Sequence, residues 1–234
     1  MTSLSSVRGI IFDKDGTLFD FEKSWSRWTR RFLLRYCKGD ARRATAVGFK
    51  LGFDFAGCRF NADSRIIAGT PDDIVAVLEA EFPKLTRQFI LEDLIASSRT
   101  AVQVETVDLT ALMTELRKRG FALGVATNDS VRIATEHLRM AAVLQFFDFV
   151  AGYDSGYGAK PDPTMLLAFC NDSGIDASQT LMVGDSLFDL LAGCRAGMRT
   201  VGVLTGMAEA AELAPYADLV LADIGELPSV LYGS

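Results

Sequence analysis

The second half of the chain alternates short apolar runs with segments in which apolar residues recur every three to four positions. The short runs predict strands at residues 121–127, 146–150, 180–184, 200–204 and 217–222. The longer segments predict helices at residues 108–120, 131–140, 164–173 and 187–196. Strands that alternate with helices of this length form right-handed βαβ units, so the pattern predicts a mostly parallel sheet.

A first strand is predicted much earlier, at the apolar run that begins with Gly9 and leads into "FDKDGTLFD". The residues that follow, from about 20 to 101, are rich in helix formers and aromatics and show no clear strand. Thr70 followed by Pro71 is typical of a helix start within this stretch. We therefore expect a Rossmann-like α/β core from residues 1–19 and 102–234, with an inserted all-helical domain at 20–101.

Charge and composition narrow the function. The 234-residue chain carries a net charge of −6 and a pI near 4.9, which disfavours a nucleic-acid or anionic-membrane surface. Seven basic residues between Arg27 and Arg43 recur at helical spacing, which fits a solvated helix face or an anion-binding face. Without a signal peptide or a run of eighteen apolar residues, the sequence predicts a cytoplasmic protein with no membrane partner.

The sequence gives little support for a metal site or disulfides built from cysteines, or for catalysis by histidine. The four cysteines have no C-x-x-C spacing and lie among apolar residues, so we expect buried, reduced thiols. His137 is the single histidine and falls in a predicted helix, so any Ser-His or Cys-His catalytic pair would depend on it alone.

Polar side chains follow several of the predicted strands. They are Asp13 and Asp15, Thr127 and Asn128, Lys160, and Asp185 with Asp189 one helical turn later. Each has an ordinary explanation as a turn, a helix cap or a solvated lysine. Because the carboxyl ends of parallel strands meet at one sheet edge, we expect these groups to converge there.

Such a group suits phosphoryl transfer. A phosphate ester needs its charge neutralised, a nucleophile in line with the leaving group, and an acid for the departing alkoxide. Crowded carboxylates call for a divalent cation, and Mg²⁺ prefers oxygen ligands. No nucleotide-binding P-loop competes, since "GYGAKP" lacks the required spacing.

Four segments in order resemble the haloacid dehalogenase superfamily of hydrolases, most of which are phosphatases. They are "DKDGT" at 13–17, "VATND" at 125–129, "AKPDP" at 159–163 and "VGDSLFD" at 183–189. The resemblance covers the α/β part of the chain and implies that the helical insertion is a cap that closes over the substrate.

The resemblance also assigns roles to the residues. Asp13 would be the nucleophile and Asp15 the general acid and base. Thr127 and Asn128 would bind phosphoryl oxygens, and Lys160 would bridge the nucleophile and the phosphate. The implied Mg²⁺ ligands are the side chains of Asp13 and Asp185 and the main-chain carbonyl of Asp15, with Asp189 as an orienting neighbour.

Substrate and outcome stay open at this point. Asp15 favours a phosphatase over the dehalogenases of the superfamily, which need no acid there. The chain is most similar to the phosphoglycolate phosphatase-like group, although "FDFEKSW" departs from that group's pattern. Arg59 and Arg65 are candidates for binding a substrate carboxylate. The alternatives are a sugar phosphomutase and a non-catalytic phospholigand-binding protein, as a monomer or a homodimer.

Overall fold

A computed structural model describes residue 4, residues 6–61, residues 64 and 66, and residues 70–232. The chain divides into two compact units, Met1–Asp20 with Glu105–Ser234, and Phe21–Val104. The domain boundaries predicted from the sequence lie after residues 19 and 101. In the structure, the boundaries between the two units lie after residues 20 and 104.

The first unit is built on a six-stranded sheet in which every neighbouring pair is parallel. Its strands are β1 (Gly9–Phe12), β4 (Ala122–Ala126), β5 (Phe149–Ala151), β6 (Thr180–Gly184), β7 (Arg199–Val203) and β8 (Leu219–Leu221). The order is β5-β4-β1-β6-β7-β8, so β1 lies between β4 and β6. The predicted α/β fold with a parallel sheet is confirmed.

Helices connect the strands of this unit, and one more helix follows the last strand. They are α5 (Leu109–Lys118), α6 (Val131–Met140), α7 (Thr164–Ser173), α8 (Leu187–Ala196), α9 (Ala210–Leu213) and α10 (Leu227–Tyr232). The helix starts follow from local chemistry, since Asp108 accepts a hydrogen bond from the main-chain N–H of Ala111 at 2.9 Å. The bounds of α6, α7 and α8 match those predicted from the periodicity.

The central strand is apolar because it is buried on both faces. Ile10 and Phe12 belong to one hydrophobic cluster, and Ile11 belongs to a second cluster with Met165 and Phe169. Each of the three strand side chains has no measurable exposure. The alternation of side chains along a strand distributes consecutive residues to opposite faces. This buried strand delivers Asp13, the next residue, to the carboxyl edge of the sheet.

The second unit is mostly helical, with α1 (Phe21–Tyr36), α2 (Ala41–Lys50), α3 (Pro71–Glu81) and α4 (Arg87–Ser98). On α1, the rings of Trp28, Phe32 and Tyr36 stack in succession, with centroids 4.9 and 4.5 Å apart. The predicted helix start at Thr70 is present, where its main-chain N–H donates to Asp73 at 2.8 Å. A hairpin of β2 (Phe53–Asp54) and β3 (Arg59–Phe60), which the sequence did not predict, lies between α2 and α3 along the chain.

Surface features of the chain differ in part from expectation. Among the described residues the cysteines are free thiols, but only Cys37 is buried, since Cys58 and Cys170 are partly exposed and Cys194 is exposed. The expectation of four buried thiols was therefore wrong. The basic cluster is solvated, with Arg27 and Arg31 exposed on α1. None of the described helices is long and apolar enough to cross a membrane.

Candidate active site

Asp13 lies where β1 ends, and its position is set by main-chain pairing. Its N–H donates to the carbonyl of Val183 on β6 at 2.8 Å, which extends the ladder by one residue. The side chain is largely buried, and its Oδ1 lies 2.6 Å from Nζ of Lys160. Burial raises the pKa of Asp13 to about 7, although the Lys160 ammonium favours the charged form.

Lys160 is the central cation of the site and is 4% exposed. Its ammonium donates to Asp13 and to Asp189, each at 2.6 Å, and to the carbonyl of Ala126 at 2.7 Å. Burial opposes the charge, but the two carboxylates together raise the pKa of Lys160 above its usual value. Three acceptors satisfy the three N–H donors of an ammonium, so the side chain has one defined position.

Asn128 fixes the loop that carries Lys160. Its side-chain oxygen accepts from the N–H of Lys160 at 2.8 Å, and its amide nitrogen donates to the carbonyl of Lys160 at 3.0 Å. This reciprocal pair ties the end of β4 to a segment 32 residues later. The predicted phosphate contact of Asn128 stays a prediction, but the structure gives its side chain a role in positioning Lys160.

Asp185 and Asp189 bring two further carboxylates to Asp13, and ligand oxygens of all three lie within 4.8 Å of one another. Oδ2 of Asp189 accepts from the main-chain N–H and the hydroxyl of Ser186, and its Oδ1 accepts from Lys160. Asp189 is therefore fixed on both oxygens. Burial raises the pKa of Asp185 well above its usual range, and Asp13 and Asp189 raise it further.

Two glycines leave room for the carboxylate of Asp185. Gly16 has a φ of 87°, and a Cβ at that position would lie 2.3 Å from an oxygen of Asp185. A Cβ on Gly206 would lie 1.8 Å from the same oxygen. Thr17 donates its hydroxyl to the other oxygen at 3.2 Å. Both positions require glycine, because the backbone approaches the carboxylate more closely than any side chain allows.

Asp15 lies beside a second buried lysine. Nζ of Lys14 is 2.5 Å from Oδ2 of Asp15 and 3.3 Å from Oδ2 of Asp129. It is also 3.2 Å from Nδ1 of His137 on α6. Burial opposes the charge on Lys14, but the two carboxylates raise its pKa above the usual value. Burial also raises the pKa of Asp129 to about 6, against the attraction of Lys14.

The remaining predicted residues have these positions. Thr127 follows β4 and is buried, and its hydroxyl accepts from the N–H of Asp129 at 3.1 Å. Arg59 lies on β3 with its side chain 69% exposed, and its Nε is 3.4 Å from Asp54. Arg65 lies outside the described residues. A substrate contact by either arginine stays a prediction.

Sequence reasoning missed the cluster around Lys14. A lysine between two aspartates at the end of a buried strand was visible in "FDKDG", but its partners were not. The buried strand β1 could have indicated this cluster, because a charged residue close to the end of a fully buried strand needs a counter-ion inside the protein. Asp129 and His137 supply contacts from segments more than a hundred residues away.

The donor set of the site suits a divalent cation. Asp13, Asp185 and Asp189 carry three negative charges when ionised, and Lys160 supplies one positive charge against them. Two negative charges therefore remain unbalanced among buried groups, which matches the raised pKa values of Asp13 and Asp185. Carboxylate oxygens are ligands for Mg²⁺ rather than for soft metals.

Comparison with known proteins places the chain among hydrolases. A family model described as "haloacid dehalogenase-like hydrolase" matches residues 7–197. The pyrophosphatase PpaX of Bacillus velezensis is 28% identical over 222 residues, which cover 94% of each chain. A phosphoglycolate phosphatase of Vibrio cholerae is 27% identical, covering 97% of this chain and 98% of the relative.

Solved structures agree on the fold. The crystal structure of a predicted phosphoglycolate phosphatase from Haemophilus somnus superimposes with a TM-score of 0.73 and 18% identity. The superposition covers 96% of this chain and 98% of that protein. The similarity therefore extends over both units of the chain.

Proposed function

The chain belongs to the haloacid dehalogenase-like hydrolases and is a phosphatase of that family, and from this premise we propose that it hydrolyses a small phosphorylated metabolite through an aspartyl-phosphate on Asp13. The observation that carries the proposal is the contact of Asp13 with Lys160, beside two further buried carboxylates. A carboxylate held against an ammonium at a sheet edge is suited to attack an incoming phosphoryl group.

Each step of the proposed reaction is assigned to a residue of this chain. Asp13 attacks phosphorus, and Lys160 offsets negative charge on the phosphoryl oxygens in the ground and transition states. The hydroxyl of Thr127 is available at the same edge as a further oxygen contact. Asp15 protonates the departing alkoxide, and as a carboxylate it then removes a proton from the water that cleaves the aspartyl-phosphate.

Mg²⁺ is the cofactor in this proposal. Asp13 and Asp185 would hold it with their side chains and Asp15 with its main-chain carbonyl, while Asp189 orients Lys160. When bound, the cation supplies charge neutralisation for the phosphate and for the crowded carboxylates. The support is the residual charge of minus two that the buried groups leave unbalanced.

Two substrate classes have specific support. The relative from Vibrio cholerae is named for phosphoglycolate, and the motif pattern of this chain favours that group. The relative from Bacillus velezensis is named for pyrophosphate and is similar over nearly the whole chain. The two substrates differ chemically at the leaving group, since an alkoxide needs an acid far more than a phosphate does.

A panel assay tests the proposal. Phosphate release is measured with Mg²⁺ on 2-phosphoglycolate, pyrophosphate, hexose phosphates and p-nitrophenyl phosphate, for the wild type and for Asp13→Asn. We expect release that requires both Mg²⁺ and Asp13 from at least one member. Full activity in excess EDTA or in Asp13→Asn would contradict the proposal, and conversion of a hexose 1-phosphate to its isomer would indicate a phosphomutase.

A further inference from the structure

We propose that Lys14 is a positioning residue, whose buried ammonium holds the carboxyl group of Asp15 in place for the proton transfers of the phosphatase reaction. The inference rests on the proposed function, because Asp15 transfers protons only if the chain cleaves phosphate esters. Lys14 lies between the two aspartates in the sequence and neither attacks the phosphate nor transfers a proton in the proposed reaction.

The contacts of Lys14 are those of a fixed internal cation. The residue has no measurable exposure, and its Nζ lies 2.5 Å from Asp15, 3.3 Å from Asp129 and 3.2 Å from His137. An exposed ion pair exchanges partners with water and contributes little. A buried ammonium is costly unless its N–H groups are satisfied, so these three acceptors define where it lies.

The two buried lysines of the site make corresponding contacts, because each lies between two carboxylates. Lys160 joins Asp13 to Asp189, which follows β6. Lys14 joins Asp15 to Asp129, which follows β4. Each catalytic carboxylate is thus tied through one ammonium to a second carboxylate, which is Asp189 in the first turn of α8 for Asp13 and Asp129 in the loop between β4 and α6 for Asp15.

Asp129 and His137, the two partners of Lys14 other than Asp15, are themselves held in place. Oδ1 of Asp129 accepts from the N–H of Ser130, the N-cap of α6, at 2.7 Å. His137 projects from the same helix and is fully buried. Helix α6 therefore holds both distal partners of Lys14, and the ammonium transmits that position to Asp15.

The ion pair with Lys14 restricts the orientation of the Asp15 carboxyl group. The side chain of Asp15 is 15% exposed, so a substrate can reach it, and the next residue, Gly16, adds no side chain beside it. A general acid must lie within about 2.6–3.2 Å of the leaving oxygen. A misplacement of about 1 Å costs on the order of a hundredfold in rate.

The test compares leaving groups. For Lys14→Met, kcat/KM is measured with the best alkyl phosphate of the panel and with p-nitrophenyl phosphate, whose leaving group needs no acid. Because kcat/KM reports the steps up to alcohol release, we expect a loss on the order of a hundredfold for the alkyl ester and of less than about tenfold for the aryl ester. Lys160→Met is the matched control and should lower both values alike.

A second variant separates positioning from folding. Lys14→Met alone leaves the carboxylate of Asp129 buried without its cation, so Lys14→Met/Asp129→Asn removes both charges. It should unfold cooperatively in urea and keep the leaving-group pattern. His137→Gln, whose side-chain amide oxygen can replace Nδ1 as the acceptor for Lys14, should change the kcat/KM of neither substrate by more than a few-fold.

The outcomes are distinct. Equal losses on both esters in the folded double variant, or no loss on either, would overturn the role of Lys14. A wild type without Asp13-dependent phosphate release would instead refute the proposed function. A crystal structure of the double variant decides independently of activity, since an Asp15 side chain ordered in its original orientation would also overturn the inference.

Discussion

At the scale of single residues, the site is organised by an imbalance of buried charge. Asp13, Asp185 and Asp189 lie together, and Lys160 offsets only one of their charges. Burial, together with the neighbouring charges of Asp189 and Asp15, raises the pKa of Asp13 to about 7. The same imbalance suits the site to a divalent cation and makes its carboxylates sensitive to substitution.

Asp13→Asn should abolish turnover while leaving the fold intact. The amide has the shape of the carboxylate but is a poor nucleophile, so we expect loss of activity to background. Stability should be retained, because the substitution removes one negative charge from a cluster in which the carboxylates outnumber the single ammonium. Phosphate release and urea unfolding measure the two effects. Retained turnover would exclude Asp13 as the nucleophile.

Lys160→Met should destabilise the metal-free protein by about 3 kcal/mol or more at a pH of about 8, because it leaves paired carboxylates buried without their cation. Added Mg²⁺ should restore part of that loss by binding only the folded state. Urea unfolding with and without Mg²⁺ measures both quantities, and Lys118→Met serves as an exposed-lysine control. An unchanged midpoint would contradict the structural role of Lys160.

The residue types of the site were predictable from sequence, but their partners were not. The motifs placed Asp13 and Asp185 at strand ends and Lys160 in a loop before a helix, and parallel topology brings these elements to one edge of the sheet. The bonds from Asn128 to the main chain of Lys160 join segments 32 residues apart. Such partners depend on loop conformation, which no periodicity in the sequence specifies.

At the scale of elements, strand ends and the loops after them position the groups of the proposed active site. β1 lies between β4 and β6, so the residues that follow these three strands share one edge. Lys160 lies in the long loop between β5 and α7, and no strand pairing among the described residues holds this loop in place. The reciprocal bonds from Asn128 supply that constraint.

Asn128→Ala should therefore act through Lys160. We expect kcat/KM to fall by about tenfold or more and stability to fall by about 1–3 kcal/mol, because two partly buried main-chain groups lose their partners. Steady-state kinetics and urea unfolding measure the effects. Gln145→Ala serves as the control, because the amide of Gln145 is exposed and donates to the nearby carbonyl of Ala142. Unchanged kinetics in Asn128→Ala would contradict the positioning role.

Element prediction succeeded where the pattern was long and failed where it was short. Helices of ten residues, such as α6 and α8, have enough turns for their apolar period to be read. The strands β2 and β3 have two residues each, too few to show alternation. The main sheet was predictable because its central strands are buried on both faces and almost wholly apolar.

At the scale of the whole molecule, the raised carboxyl pKa values link stability to pH. The pKa values of Asp13 and Asp129 are about 7 and about 6 in the folded state, against an ordinary value of 3.8. The folded state therefore binds protons more tightly than the unfolded state. These groups contribute stability that is fully present below about pH 4 and is lost as pH rises through 6 and 7.

Metal-free protein should consequently be less stable at about pH 8 than at about pH 5.5, and the stabilisation by Mg²⁺ should be larger at the higher pH, where protons no longer compete for the carboxylates. Urea midpoints at both pH values, with and without Mg²⁺, measure this. Asp185→Asn should weaken both the pH dependence and the response to Mg²⁺. A midpoint that rises with pH in the absence of metal would contradict the charge assignment.

Locating the phosphoryl group on the protein during turnover tests the central claim most directly. The Asp15→Asn variant is mixed with p-nitrophenyl phosphate and Mg²⁺, quenched in acid and analysed by peptide mass spectrometry. The variant can still form the intermediate because this leaving group needs no acid, but it lacks the base that hydrolyses it. We predict one phosphoryl group on Asp13. A phosphoryl group on another residue, or full turnover by Asp13→Asn, would contradict the account.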